Sequence, residues 1–220
     1  MIKKGQVKIN GEICKKADLK FDPEKEQISV GGTPVSYEEF AFYLLNKPAG
    51  IITASLDRKQ KTVMDLFADE MRTDLFPVGR LDKDTVGLLL ITNHGALCHK
   101  MLAPKSHVDK VYYVGLAHPL SEEARKQLEA GVEIEKDTIT KPAKCEITEK
   151  NECFEGSCAA LLTITEGKFH QVKRMFEAVG NEVVYLKRLS FGPLTLDPDL
   201  PEGHYRKCTE EEIKKLSDLL

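Results

Sequence analysis

The sequence predicts an α+β fold, a mixed and largely antiparallel sheet flanked by helices and preceded by a small appendage. Three observations predict it. Apolar stretches of strand length recur from about Phe40 onward, helix-like stretches fall between them without regular alternation, and the first 36 residues hold too little apolar content for a core of their own. A chain of 220 residues suits one sizeable domain with such an appendage, and the expected division is 1–36 and 37–220.

Taken in order, Val7-Lys8-Ile9 and Glu12-Ile13-Cys14 flank Asn10-Gly11, a hairpin signal because both turn positions tolerate positive φ. Ile28-Ser29-Val30 stops at Gly31-Gly32-Thr33-Pro34, which reads as a linker. Residues 42–45 form a strand that must end by Pro48, and residues 62–67 form a short helix. Leu88-Leu89-Leu90-Ile91, bounded by Gly87 and Asn93, is a strand buried on both faces. Residues 95–102 are helical and residues 110–117 strand-like. Ser121 followed by Glu122 and Glu123 caps a helix running to about Ala130, and residues 159–165 and 183–187 add strands. Thr209 with Glu212 three residues on forms a capping box for a last helix.

The balance of 32 Lys and Arg against 35 Asp and Glu gives a net charge of −3 and no global attraction to a polyanion. That charge is local. Residues 197–220 carry seven acids and four bases, while residues 1–196 balance at 28 of each. An acidic first helical turn accounts for the tail, so any nucleic-acid contact must come from a patch elsewhere. Six scattered cysteines form no disulfide framework and point to a reducing, cytoplasmic setting; no apolar run reaches membrane-span length. Cys153 and Cys158 lack a second pair, His94 and His99 lack a zinc framework, and Gly167-Lys168 lacks the upstream glycine of a phosphate-binding loop. Neither metal nor cofactor is indicated.

Three segments carry chemistry. In Gly79-Arg80-Leu81-Asp82-Lys83-Asp84-Thr85, glycine permits a tight turn, Leu81 can anchor it, and Asp82 can serve as nucleophile or base beside a cation; Asp84 reads as a turn residue. In Gly167-Lys168-Phe169-His170-Gln171-Val172-Lys173-Arg174-Met175-Phe176, Val172, Met175, Phe176 and Val179 make one apolar helix face. His170, Lys173 and Arg174 occupy the other, and Lys168 precedes the helix, where free N–H groups favour phosphate. In Lys110-Val111-Tyr112-Tyr113-Val114 the tyrosines point to opposite faces, one for the core and one able to stack on a base. Lys187-Arg188 is a further basic pair.

Together with Asn46-Lys47-Pro48-Ala49-Gly50, the stretch GRLDKDTVGLLLIT, the strand KVYYV, the helix GKFHQVKRMF and LKRLSFGPL, all in order over residues 43–196, the chain resembles the pseudouridine synthases, in particular the RsuA-like branch that modifies ribosomal RNA. Within these motifs the pattern departs at Val86 and His94, where the family usually carries acids. Residues 1–30 resemble the C-terminal half of an S4-type RNA-binding module without its first two helices. The resemblance implies the pseudouridine synthase fold, with Asp82 as catalytic carboxylate, Tyr112 stacked on a flipped uracil, and Lys173 paired with Asp82. Arg80 would fill the vacated space or hold a phosphate, and Lys168, His170, Arg174, Lys187 and Arg188 would meet RNA on one face. The implied partner is ribosomal RNA, 16S in preference to 23S, met by a monomer without cofactor. A non-catalytic RNA-binding or ribosome-assembly factor on the same fold is the competing expectation. A hydrolase using Asp82 and Asp84 together is a third, and it requires Asp84 to face the pocket.

Overall fold

The computed structural model describes all residues except 23–24, 36–38, 71 and 150–153. The chain divides into two compact units, Met1–Phe40 and Ala41–Leu220. The expected division at residue 36 falls among residues outside the described set.

The first unit is a four-stranded antiparallel sheet of β1 (Val7–Ile9), β2 (Glu12–Ile13), β3 (Ile28–Val30) and β4 (Thr33–Val35), in the order β2-β1-β3-β4. Asn10 and Gly11 both have positive φ, as the hairpin requires. Gly31-Gly32 is not a linker: the two glycines, at φ 60° and 89°, turn β3 into β4, and Pro34 tolerates the edge position. Cys14 is the one buried apolar residue described in this unit.

In the second unit, β5 (Phe42–Lys47) is followed by β6 (Phe76–Pro77), β7 (Val86–Thr92), α1 (Gly95–Leu102), β8 (Lys110–Leu116), α2 (Glu122–Ala130), β9 (Glu133–Glu135), β10 (Thr138–Ile139), β11 (Lys144–Thr148), β12 (Cys158–Ile164), α3 (Gln171–Ala178), β13 (Val183–Phe191), β14 (Leu194–Thr195), β15 (Tyr205–Lys207) and α4 (Glu210–Ser217). The main sheet runs β11-β12-β8-β13-β7-β5-β15, with β14 on β13 and β6 on β7. Among the described strand pairings of this sheet, only β13–β7 is parallel. Every residue of β7 is buried. Leu89 and Ile91 join one core cluster, Leu88 and Leu90 the other, so its continuous apolar run serves both faces of the sheet.

One irregularity positions the site. Along the same side of β7, β13 pairs only at Val86 and Gly87, and β6 takes over at Ile91 and Thr92. The segment between β6 and β7 therefore folds over the place where β13 and β7 part. Gly87, at φ 100°, permits the junction: a Cβ there would stand 2.3 Å from the Arg188 carbonyl oxygen. In α4 the capping box forms as expected, with Thr209 Oγ1 accepting from the Glu212 N–H at 3.2 Å and Glu212 accepting from the Thr209 N–H at 2.8 Å. Arg206 ties Glu212 and Asp197 together, at 2.8 and 2.9 Å, so two of the tail's seven acids are paired within the tail.

Candidate active site

Asp82 stands on the loop from Val78 to Thr85. Gly79 begins the loop at φ 76°, and buried Leu81 pins it, its N–H donating to Thr53 Oγ1 at 3.1 Å while the Thr53 hydroxyl donates to the Leu81 carbonyl at 2.8 Å. From beneath, the fully buried Lys47 donates to the carbonyls of Pro48, Lys83 and Thr85, at 3.0, 3.3 and 2.9 Å. These three bonds use all three ammonium protons. Burial still pushes Lys47 down to about 8, although Asp84 and Asp82 favour its charged form. Neither Lys47 nor Thr53 was expected as a site residue; the Asn46-Lys47-Pro48 segment was a motif without an assigned role. The signal in it is a lysine at the end of a strand that is otherwise uncharged.

The other wall comes from α3 and the turn before it. Val172, Met175 and Phe176 are buried, as the helical spacing predicts, and Gln171 joins them. Gln171 is tied into a small network: its Oε1 accepts from the Lys168 N–H at 2.8 Å, and its Nε2 donates to Glu166 at 2.8 Å. Glu166 also holds the Lys168 ammonium. Burial opposes ionisation of Glu166, but Lys168 and the Lys141 N–H outweigh it and keep the carboxyl below its ordinary range. Lys168 is thus a paired cation at the cleft wall. His170 adopts the left-handed conformation at φ 50°, stacks against Phe169 at 3.8 Å between centroids, and places Nε2 3.5 Å from Asp82 Oδ1.

Lys173 pairs with Asp82, its ammonium 3.7 Å from Oδ2, and its shorter contacts, at 2.6 and 2.7 Å, go to Asp84, so it bridges the two carboxylates. Burial raises the Asp84 carboxyl, and the stronger pull of Lys173 leaves it below its ordinary value. The Asp84 side chain is 70% exposed and does not line the cleft, which removes the two-aspartate hydrolase.

Asp82, Arg80, Tyr112, Lys168 and His170 all line one cleft of about 570 Å³, together with Lys83, Lys110 and Arg188. That gives it five Lys or Arg side chains and one carboxylate. A recess of about 70 Å³ shares Arg80, Asp82, Tyr112, Lys168 and His170 and is floored by Leu81, Ile164, Val172 and Leu186. Tyr112 is 7% exposed and presents to this recess, whereas Tyr113 faces the opposite side among Phe154 and Tyr185.

The remaining expected bases separate. Arg188 lies across from Tyr112 and is buried in the cleft wall at 2% exposure, so it is no surface cation. Lys187, adjacent on the strand, pairs with Tyr113 and falls on the other face. Arg174 turns to Glu135 at 3.0 Å and lies outside the cleft lining. Lys110 and the 73%-exposed Phe169 line the cleft without having been singled out. An exposed aromatic between Lys168 and His170 is the signal that marks Phe169. Among the described residues no cluster of three or more His, Cys, Asp or Glu could hold a metal ion, and no helix is long and apolar enough to cross a membrane.

Comparison with known proteins agrees with this geometry. The family model for RNA pseudouridylate synthase matches residues 41–178. The chain is 50% identical over 219 residues to the uncharacterized RNA pseudouridine synthase YtzG of Bacillus subtilis (strain 168), covering 99% of this chain and 90% of that protein. It is 39% identical to ribosomal small subunit pseudouridine synthase A of Escherichia coli (strain K12), covering 96% and 89% of the two. A crystal structure of a pseudouridylate synthase superposes with a TM-score of 0.74 at 38% identity, covering 98% of this chain and 90% of that one. The archaeal box H/ACA Nop10–Cbf5 complex shares the fold alone, at 18% identity and a TM-score of 0.51. The chain belongs to the RNA pseudouridylate synthase family, and within it is similar to the RsuA-like enzymes.

Proposed function

We propose that this family member converts one uridine of ribosomal RNA to pseudouridine, in the small subunit's 16S RNA, with Asp82 as the reacting carboxylate. The N1–C1′ bond breaks, the uracil turns, and a C5–C1′ bond forms; the C5 proton leaves and N1 gains one, so no redox partner enters. The observation that carries this reading is the convergence of Asp82 and Tyr112 on one recess inside a cleft of five cations and one carboxylate.

A uracil can reach Asp82 only after leaving the RNA stack. The recess offers the buried Tyr112 ring to its face and apolar side chains beneath. Lys173 and His170 hold the Asp82 oxygens from the α3 side, and Lys47 with Thr53 fixes the loop that carries Asp82. A carboxylate held this way needs little reorganisation when the glycosidic bond is attacked. Exposed Arg80 is placed at the mouth to occupy the gap left by the flipped base or to hold a phosphate. The first unit, read as the partial S4-like module, adds a separate RNA contact. The enzyme works as a cytoplasmic monomer.

The similarity of the small-subunit enzymes supports 16S RNA. Asp82→Asn should reduce tritium release from 5-tritiated uridine in ribosomal RNA by at least about 10³-fold. Release at the wild-type rate would remove Asp82 as the reacting carboxylate, whereas undiminished function of the Asp82→Asn chain with no pseudouridine in its bound RNA would assign the chain to RNA binding without catalysis. Mapping pseudouridine in ribosomal RNA from a deletion strain identifies the uridine, and loss of a site in 23S RNA would redirect the assignment.

A further inference from the structure

Among the described residues of the second unit, three cations are buried at 8% exposure or less: Lys47, Lys110 and Arg188. Burying a charge costs several kcal/mol unless it is paired or fully hydrogen-bonded, roughly as for any isolated ion in a protein interior. Lys47 meets that requirement with three carbonyls. Lys110 and Arg188 do not. Lys110 donates to the Val108 carbonyl at 3.2 Å, and Arg188 Nε donates to the Leu88 carbonyl at 2.8 Å. Arg188 Nη2 is buried without a partner. Neither side chain makes an ion pair among the described residues.

The backbone explains why two like charges sit together. Arg188 pairs with Tyr112 in the β13–β8 register, and Lys110 lies two residues before Tyr112, so all three side chains share one face. The register then slips between Arg188 and Ser190 and brings Phe191 opposite Lys110. Both cationic groups lie over the Phe191 ring, Lys110 Nζ at 5.2 Å and the Arg188 guanidinium at 4.8 Å from its centroid. The ring's negative face moderates their repulsion but satisfies none of their N–H donors. Both line the same cleft as Asp82.

We propose that Lys110 and Arg188 form a subsite for one internucleotide phosphate of the RNA strand, the phosphate next to the uridine whose base enters the recess at Tyr112. The subsite rests on the RNA substrate proposed above. A phosphodiester supplies the missing charge and acceptor oxygens to both side chains at once. It also anchors the backbone beside Tyr112, from which the base must swing inward. Burial, and then Arg188, push Lys110 down to about 8, which agrees with two cations still lacking a counter-ion.

The test uses the full chain with Asp82→Asn, so that binding is read without turnover, and the rRNA fragment containing the mapped uridine. Single phosphates are replaced in turn by neutral methylphosphonates. Lys110→Met should weaken binding about tenfold, as expected for one charge-assisted contact of roughly 1.4 kcal/mol. Neutralising one phosphate beside the target should weaken the Lys110 protein by more than that factor, and should weaken Lys110→Met, which keeps only Arg188 at the subsite, distinctly less. Lys110→Arg should restore both the affinity and the sensitivity to that phosphate, and unfolding midpoints within a few degrees of one another show that the variants fold. Equal losses in both proteins at every neutralised position, or no loss with Lys110→Met, overturn the subsite. Intact binding coupling in a chain that forms no pseudouridine with Asp82 present overturns the catalytic reading alone.

Discussion

At the Asp82 end of the cleft, a cation meets carboxylates: Lys173 bridges Asp84 and Asp82, and the His170 ring approaches Asp82 from the start of α3. At the Lys110 end, two cations share a phenyl ring and two carbonyls, and an N–H donor of Arg188 is left over. The two ends differ in what they require from outside. A carboxylate already held by protein donors is ready to act on a neutral base, whereas buried cations without an anion are completed by a ligand that brings one. A flipped nucleotide has both parts, a neutral uracil and a charged phosphate, and the cleft offers each a different end.

The contrast can be broken from either side. The largest effect is expected at the compensated end. Lys173→Met removes the bridge between α3 and the loop and should lower the single-turnover rate on the order of 10²-fold with little change in RNA affinity. Asp84→Asn leaves Lys173 to Asp82 and should stay within about threefold of wild type in the same assay. A larger loss with Asp84→Asn than with Lys173→Met would show Asp84 to be the working carboxylate.

At the uncompensated end pH is the lever. Lys110 is held at about 8 by burial and by Arg188, against Asp109 and Glu166, with Lys168 on the facing wall. Because this value is depressed, the charged form persists below it and is lost as pH rises through it. RNA affinity should therefore be flat up to about pH 7 and fall by up to about tenfold towards pH 9.5. Lys47 also titrates near 8, but it supports the loop instead of meeting phosphate. Lys110→Arg should thus flatten the binding profile while an alkaline decline in rate remains. A profile unchanged by Lys110→Arg would assign the titration elsewhere.

The smallest effect lies away from both ends. Thr209→Ala removes the cap of α4 and should cost about 1 kcal/mol in denaturant unfolding without altering turnover. A measurable rate change would couple the acidic tail to the cleft.

Much of this architecture follows from local pattern. The run Leu88–Ile91 specifies a strand buried on both faces, the spacing Val172, Met175, Phe176 specifies which side of α3 enters the core, and Thr209 with Glu212 specifies where α4 begins. Those features depend on side-chain period and on hydrogen bonds between near neighbours, and a sequence states both directly. Gly31-Gly32 shows the limit. Two glycines serve a linker or a hairpin equally well, and pairing of β3 with β4 selects the hairpin.

The sequence by itself also determined the family motifs and placed Asp82, Tyr112 and Lys173 among the candidates. Only the tertiary structure decided which bases face the cleft. Lys187 and Arg188 are neighbours in the chain and part company because alternate strand residues point to opposite faces; the β13–β8 register sets which is which. Lys110 and Arg188 resemble any surface cation in sequence, and Lys47 differs only in closing an otherwise uncharged strand. Their burial comes from strands brought together from positions far apart in the chain. The same packing supplied three carbonyls to Lys47 and too few partners to the other two, and that difference separates a structural lysine from a pair awaiting a phosphate.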